Sequence, residues 1–198
     1  MGTGSKSKKT RDKSGLSSIV VIEPNRQMQN LLRAMLSNFG HRNVEIFSET
    51  DSAVTAMLNE PPSMVLLDWD AGPYTGRKFM KLIRHEKMYP LCLVPIVVLF
   101  AEARQKRVES ALRLGAQAAL VKPISPLILI EHINWVVSEH RELKLVGERY
   151  VVAGVSEKLD EESEKQQQLA AAREYQNEQV KAMDSIQNDV DRILTSTF

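Results

Sequence analysis

The sequence predicts a doubly wound α/β domain, in which a five-stranded parallel sheet carries helices on both faces. Three observations lead to this prediction. Five short apolar runs alternate with segments whose apolar residues recur at helical spacing. Turn-forming residues, mostly Pro, Gly and Asn, separate these segments. Strict alternation of strand and helix is typical of a parallel sheet with right-handed crossovers.

The predicted strands other than 44–47 are dominated by β-branched or other apolar residues, which is typical of strands buried on both faces. In the third strand the apolar run 64–67 leads directly into Asp68, and a loop with Pro73 follows. On the second and third helices, Leu58 and Leu82 are expected on the buried side. The predicted strands are residues 18–22, 44–47, 64–68, 95–100 and 118–121. The predicted helices are residues 26–39, 52–58, 76–84, 104–114 and 125–140.

The length allows one domain with a sizeable core plus appendages, or two very small domains. The chain has 198 residues, of which 43% are apolar and 26% charged, an ordinary globular mixture. The net charge of +1 favours neither nucleic acid nor a membrane surface as a partner. Cys92 is the one cysteine, so no internal disulfide can form, which fits a reducing compartment. No run resembles a signal peptide or a membrane span, and we expect a cytoplasmic protein.

Charge and composition together divide the chain into four predicted parts. Residues 1–15 hold five Lys or Arg and one Asp, and are predicted to be a disordered basic arm. Residues 16–142 form the α/β domain, and residues 143–155 an extended connector or small added strand. Residues 156–198 hold ten acidic and five basic residues without Gly or Pro, which favours a long C-terminal helix.

Two segments are candidates for contacts with other proteins. The helix at 125–140 is apolar over more than one stripe, and Trp135 and Val136 are expected to face a partner. The C-terminal helix carries a heptad seam with two polar positions, which suits a homodimeric coiled coil or a helix folded back on its own domain; a solitary solvated helix is the alternative. The seam residues are Leu169, Ala172, Gln176, Gln179, Met183, Ile186, Val190 and Ile193.

Charged side chains follow three of the predicted strands. Glu23 follows the first strand, Asp68 and Asp70 end the third, and Lys122 follows the fifth. In open α/β sheets this edge is where ligands bind. The three carboxylates are candidate Mg²⁺ ligands, Asp68 a candidate nucleophile toward phosphorus, and Lys122 a candidate phosphate contact. The alternatives are a plain Asp68–Lys122 ion pair, or an aspartate that only caps a turn.

The sequence that contains these charged residues resembles the receiver domain of bacterial two-component response regulators. The resemblance covers about residues 17–140. It rests on five short motifs in the right order and at the right intervals. They are Val21-Ile22-Glu23, Leu66-Leu67-Asp68, the spacing from Asp68 to Gly76, the run Pro95-Ile96-Val97-Val98-Leu99, and Leu114-Gly115-Ala116 leading to Val121-Lys122-Pro123.

The resemblance implies a flavodoxin-like fold with strand order 2-1-3-4-5. It implies that Asp68 is the phosphoacceptor, that Lys122 senses the phosphoryl group, and that the Lys122–Pro123 peptide bond is cis. It also implies Mg²⁺ as cofactor, a histidine kinase or phosphotransfer protein as donor, and a downstream protein target.

The sequence departs from the family pattern at four positions. Pro24 stands where a second acid usually binds Mg²⁺, and Pro73 is shifted from its usual place in the third loop. Phe100 replaces the Thr or Ser at the end of the fourth strand, whose hydroxyl usually grips the phosphoryl group. Ala119 replaces an aromatic switch residue. Metal binding and the conformational relay are therefore both in question.

Two functional interpretations remain open at the level of sequence. In the first, a stand-alone receiver accepts a phosphoryl group on Asp68 in a phosphorelay and signals through protein contacts. In the second, a degenerate receiver is a phosphorylation-independent adaptor or scaffold. An enzyme is a third alternative that we do not expect, because the four histidines fall on predicted helices or helix ends, away from the strand-end cluster.

Overall fold

The computed structural model describes residues 16–71, 75–102, 104–139 and 141–195. The chain divides into two compact units, Met1–Val155 and Ser156–Phe198, which are described separately here. The predicted basic arm, residues 1–15, lies outside the described residues, as does Pro73. Within the described ranges, no helix is both long enough and apolar enough to cross a membrane.

Five parallel strands form the sheet of the first unit. They are β1 (Ile19–Ile22), β2 (Val44–Phe47), β3 (Met64–Asp68), β4 (Ile96–Phe100) and β5 (Ala118–Val121). Their order is β2-β1-β3-β4-β5, and every neighbouring pair is parallel. The predicted fold class and strand order are therefore confirmed.

Five helices cover the two faces of this sheet. They are α1 (Arg26–Asn38), α2 (Thr50–Asn59), α3 (Gly76–Ile83), α4 (Gln105–Arg113) and α5 (Pro126–Glu139). Because successive side chains of a strand point to opposite faces of the sheet, each strand contributes side chains to two cores. One core contains buried residues of α1 and α5, and the other contains buried residues of α2, α3 and α4. All residues of β1, β3 and β4 are buried, as their apolar composition predicts.

Several helix side chains lie on the opposite side from that predicted. Leu58 and Leu82 are exposed, because the buried stripes of α2 and α3 are narrower than the apolar runs in the sequence. On α5, Val136 is buried in the core rather than facing outward, and Trp135 is half-buried beneath the guanidinium of Arg141 at 4.3 Å. The outward apolar residues of α5 are at its first turn, Leu127 and Ile128.

A β-hairpin follows α5 where the sequence predicts an extended connector or one added strand. Its antiparallel strands are β6 (Leu143–Val146) and β7 (Arg149–Val152). Gly147 turns the chain between them with a φ of 60°, a conformation that suits glycine. The amide of Tyr150 in β7 donates to the carbonyl of Arg84 at 2.8 Å, so the hairpin is attached to the end of α3.

Arg84 is a fully buried cation that the sequence analysis did not single out. Its guanidinium donates to the carbonyls of Gly115, Cys92 and Val94 and to the side-chain oxygen of Gln117, at 2.8–3.0 Å. Burial lowers the pKa of Arg84 to about 9, so the group stays charged at neutral pH. These contacts join α3 to the segments that lead into β4 and β5.

The second unit consists of one helix, α6, which begins one residue earlier in the first unit and spans Val155–Thr195. Its 41 residues correspond to about 60 Å at 1.5 Å per residue. The long C-terminal helix predicted from composition is therefore confirmed. Almost every described side chain between 157 and 181 is exposed on the single helix.

Candidate functional site

The parallel sheet brings three charged side chains to its carboxyl edge. Glu23 follows β1, Asp68 ends β3, and Lys122 follows β5. Glu23 and Asp68 lie at the same height along the strand direction, because the residues that precede them, Ile22 and Leu67, are register partners in the neighbouring strands β1 and β3. Residues 99 positions apart in the chain thus meet without any local sequence signal that links them.

The ammonium group of Lys122 bridges the two carboxylates. Its Nζ donates to Oε2 of Glu23 and to Oδ2 of Asp68. The side chains are 1% exposed for Glu23, 7% for Asp68 and 13% for Lys122. One positive and two negative formal charges therefore share a nearly dry site, where electrostatic interactions are less screened than at the surface.

Burial and pairing act in opposite directions on these groups. Burial raises the pKa of Glu23 above 4.5, although its hydrogen bonds with Lys122 and Asn25 oppose the shift. Burial lowers the pKa of Lys122, but hydrogen bonds and charge attraction from Asp68 and Glu23 outweigh it, and the net shift is upward from 10.5. Lys122 therefore remains an ammonium group at neutral pH.

Backbone amides hold the second oxygen of each carboxylate. The amide of Asn25 donates to Oε1 of Glu23 at 2.9 Å, and the amide of Asp70 donates to Oδ1 of Asp68 at 2.6 Å. Asn25 also caps α1, because its side chain accepts from the amides of Gln27 and Met28. Both carboxylates are thus oriented by the loops that immediately follow their strands.

An open cleft of about 480 Å³ lies over this edge of the sheet. The charged cluster and the first turns of α1 line it, so charged groups alternate there with the apolar side chains of Met28 and Leu31. Its lining residues are Glu23, Pro24, Asn25, Gln27, Met28, Leu31, Asp68, Asp70, Ala101 and Lys122. Among these described residues there is no histidine or cysteine.

The third predicted carboxylate has a different partner. Asp70 lines the cleft, but its Oδ1 accepts from the guanidinium of Arg107 on α4. The Asp70 side chain is 51% exposed and that of Arg107 is 30% exposed. The structure therefore brings Glu23 and Asp68 together with Lys122 and pairs Asp70 with Arg107.

Phe100 points into the core beneath the same edge. It is fully buried, and its ring lies 5.4 Å from that of Trp69, centroid to centroid. The guanidinium of Arg107 lies 5.9 Å above the Phe100 ring. Ala119, the other atypical switch position, is partly buried against the same core. Trp69 and Phe100 thus belong to the same buried core as the residues that surround Ala119.

Comparison with known proteins now identifies the family. The model of the response regulator receiver domain family matches residues 19–134, more than half of the chain. The chain belongs to this family. The Lys122–Pro123 peptide bond is cis, as the resemblance implies, and a second cis bond precedes Pro90.

The curated relatives differ in how much of their own length the match covers. The receiver domain is 33% identical over 117 residues to the phosphate regulon transcriptional regulatory protein PhoB of Klebsiella pneumoniae, covering 59% of this chain and 49% of PhoB. It is 27% identical over 120 residues to the chemotaxis protein CheY homolog of Campylobacter jejuni, covering 59% of this chain and 88% of that protein. This chain thus spans about half the length of PhoB.

Solved structures show the same receiver fold. A CheY-like receiver domain protein from Methanospirillum hungatei superposes with a TM-score of 0.56 at 20% identity, covering 62% of this chain and 94% of that one. The receiver domain of the sensor histidine kinase PA1611 from Pseudomonas aeruginosa has a TM-score of 0.53 at 25% identity, covering 60% and 93%. That structure holds a magnesium ion in its active-site cleft.

The donor set of this receiver domain is compatible with Mg²⁺ but minimal. Mg²⁺ binds oxygen and needs only one or two protein carboxylates when water and phosphate complete its shell. Glu23 and Asp68 meet that requirement, while Pro24 contributes no carboxylate. Within the described residues, no group of three or more His, Cys, Asp or Glu side chains converges to hold a metal.

Two contacts at this site were missed at the level of sequence. Arg107 was predicted only as part of a helix, and Asn25 only as part of a turn. Asn25 stands just before an apolar-periodic helix, which is a recognisable capping signal. Arg107 offers no such signal, because its partner Asp70 is 37 residues away and on a different element.

Proposed function

We propose that this receiver domain accepts a phosphoryl group on Asp68 in a phosphorelay and signals through protein contacts. The observation that carries the proposal is the contact of Lys122 with both Asp68 and Glu23 at the open cleft. A buried carboxylate is costly unless it is paired, and this pair lies at the carboxyl edge of the sheet, where ligands bind in open α/β folds. A histidine kinase or phosphotransfer protein is the proposed donor.

The proposed reaction transfers a phosphoryl group from a phosphohistidine of the donor. A carboxylate oxygen of Asp68 forms the new bond to phosphorus as the phosphorus–nitrogen bond of the donor breaks, and the histidine leaves with the electron pair. Lys122 stabilises the negative charge on the transferred phosphoryl oxygens. The amide of Asp70 keeps Asp68 oriented during the transfer.

Mg²⁺ is the proposed cofactor, and Glu23 and Asp68 are the residues that would hold it. When bound, the ion supplies positive charge against the phosphoryl oxygens. Asp70 is a weaker candidate ligand, because its carboxylate already contacts Arg107.

A second function, that of a phosphorylation-independent adaptor, is favoured by Phe100. A buried aromatic side chain offers no hydroxyl to a phosphoryl group, and Phe100 is held in the core beside the ring of Trp69. In this case Lys122, Glu23 and Asp68 would only stabilise the fold, and partners would bind whether or not phosphate is present.

The proposed output surface includes the first turn of α5. Leu127 and Ile128 are exposed there, and Val121 at the end of β5 is exposed as well. Exposed apolar residues that lie together are candidates for protein contacts. We propose that residues 125–140 present this surface to a downstream protein or to a second copy of the chain.

Phosphate incorporation distinguishes the two functions. The protein is incubated with acetyl phosphate and Mg²⁺, and the mass of the intact chain is measured. We expect the mass to increase by one phosphoryl group in the wild type and in Asp51→Asn, but not in Asp68→Asn. Asp51→Asn is the matched control, because it makes the same change at an exposed aspartate of α2 that does not line the cleft.

Absence of phosphate incorporation would contradict the phosphoacceptor proposal. If the wild type stays unmodified at millimolar Mg²⁺, and beryllofluoride leaves its amide NMR spectrum unchanged, the phosphoacceptor proposal is wrong and the adaptor remains. Turnover of a phosphate ester that is lost in Asp68→Ala would instead show an enzyme.

A further inference from the structure

The C-terminal helix carries an apolar seam that is exposed on the single chain. Leu169 and Met183 lie on the seam at 60% and 70% exposure, and Tyr175 and Val180 flank it at 64% and 57%. Exposed large apolar side chains in such a regular series mark an interaction surface. Most of the stability of a helix in a protein comes from packing of its apolar face, which favours a partner for this seam.

The heptad register of the seam is fixed by its alternating three- and four-residue spacing. Leu169, Gln176, Met183 and Val190 occupy the a positions, and Ala172, Gln179, Ile186 and Ile193 the d positions. Four heptads without Gly or Pro satisfy the length that a coiled coil needs. The partner therefore presents a matching heptad seam.

We propose that α6 pairs with α6 of a second copy of this chain as a parallel, in-register coiled coil. This proposal goes beyond the phosphorelay function and does not depend on it. The two glutamine positions decide both the partner and the orientation.

In a parallel, in-register dimer, each glutamine of one chain faces the same glutamine of the second chain. An amide has both donors and an acceptor, so Gln176 can hydrogen-bond with the second copy's Gln176, and Gln179 with the second copy's Gln179. The apolar positions then face apolar positions throughout. A polar residue at an a position is a recognised means of fixing register and the two-stranded state, at some cost in stability.

The antiparallel alignment that overlaps the whole seam mixes polar with apolar positions. It places Gln176 opposite Ile186 and Gln179 opposite Met183. Each amide then enters the seam without an amide partner, which costs about 1–3 kcal/mol for each unsatisfied group. The sequence of the seam therefore disfavours this alignment.

The flanking residues support the parallel register independently. Tyr175 falls at a g position and Val180 at the following e position, and g packs near the next e of the other strand in a parallel pair. Two exposed apolar side chains would thus cover the glutamine layers on both sides of the dimer. On the single helix, Gln179 already donates to the hydroxyl of Tyr175 at 3.1 Å, which keeps the ring beside these layers.

Mass measurements on the full chain test the existence of the dimer. We expect sedimentation equilibrium to give twice the mass of the 22.3 kDa chain at micromolar concentration, falling toward the monomer on dilution. Met183→Glu, which places a charge in the seam, should raise the dissociation constant at least about tenfold, since a buried unpaired charge costs more than about 1.4 kcal/mol. Asn188→Glu, at the outward f position, is the matched control and should leave it unchanged.

Disulfide trapping tests the orientation. In a parallel dimer, Gln176→Cys brings two sulfurs together within the reach of a disulfide, whose Cα atoms are about 6 Å apart. The wild type is the control, because its Cys92 is buried and burial raises the pKa of its thiol. We expect a cross-linked dimer under mild oxidation only in the variant.

Three results would overturn the proposal. A wild-type chain that stays monomeric at all concentrations would exclude the dimer. In that case α6 is solvated, folds back on its own chain, or binds a different protein. Cross-linking of the double variant Gln176→Cys and Ile186→Cys, with none in Gln176→Cys alone, would show the antiparallel pair. A dimer that survives Met183→Glu unchanged would place the interface elsewhere. Asp68→Asn should leave the dimer intact, which separates this test from that of phosphorylation.

Discussion

The guanidinium of Arg107 on α4 contacts the carboxylate of Asp70, two residues beyond Asp68. Because the amide of Asp70 also donates to Asp68, one loop residue connects the charged site with α4. The same guanidinium lies over the ring of Phe100. Arg107 thus contacts two residues that border the site, at the position where this sequence lacks the usual hydroxyl.

Arg107→Ala should loosen α4 without unfolding the domain. Since both partners are partly exposed, we expect a loss of about 0.5–1 kcal/mol in the free energy of unfolding. Hydrogen exchange should become faster in the first turns of α4. Arg104→Ala, which removes an exposed pair with Glu102, is the control and should leave exchange at α4 unchanged. Equal protection in both variants would contradict a structural role for the Arg107 contact.

Phe100→Thr should be strongly destabilising even though it restores the residue type typical of the family. The substitution removes a fully buried ring and its stack with Trp69, and we expect a loss of about 3 kcal/mol in urea unfolding. Phe100→Leu keeps most of the volume and should lose about half as much. An unchanged midpoint in Phe100→Thr would show that the ring is not packed as described.

Lys122→Met should destabilise the domain in a pH-dependent way. Two nearly buried carboxylates would lose their cation, and we expect a loss of about 3 kcal/mol at pH 7. Without the ammonium group the pKa of Glu23, which burial already raises, rises further. A carboxyl whose pKa is raised by folding contributes stability at low pH and loses it as the pH rises through the raised value.

The deficit of Lys122→Met relative to the wild type should therefore be smaller at pH 4 than at pH 7. In the wild type, the raised pKa of Lys122 contributes stability that is fully present below pH 10.5 and is lost as the pH rises through the higher folded value. Lys81→Met, on the exposed side of α3, is the control. A deficit that does not change with pH would exclude electrostatic pairing as its cause.

Arg84→Met should be among the most destabilising single substitutions in this domain. It keeps an apolar side chain of similar length but removes the donor from four buried oxygen acceptors, and we expect a loss of about 3 kcal/mol or more. Arg77→Met, at an exposed position of the same helix, should change stability by less than about 0.5 kcal/mol. Similar unfolding curves for the two variants would contradict the role assigned to Arg84.

The sequence by itself determined the sheet and its edge. Short apolar runs such as 64–67, bounded by turn-forming residues, indicate strands buried on both faces, and their alternation with helices permits few topologies. Parallel strands end at one edge, so Glu23, Asp68 and Lys122 were expected together before any coordinates were known. The family pattern supplied the strand order and the identity of the atypical positions.

Only the tertiary structure decided which charges pair and which apolar residues are covered. Asp68 and Asp70 are two residues apart, but one contacts Lys122 and the other Arg107, because the chain turns at the end of β3 and sends their side chains in different directions. Val136 is buried while Leu127 is exposed on the same apolar helix, since only packing against the sheet defines the covered stripe. Pairing and burial depend on residues distant in the chain, and local periodicity contains no information about them.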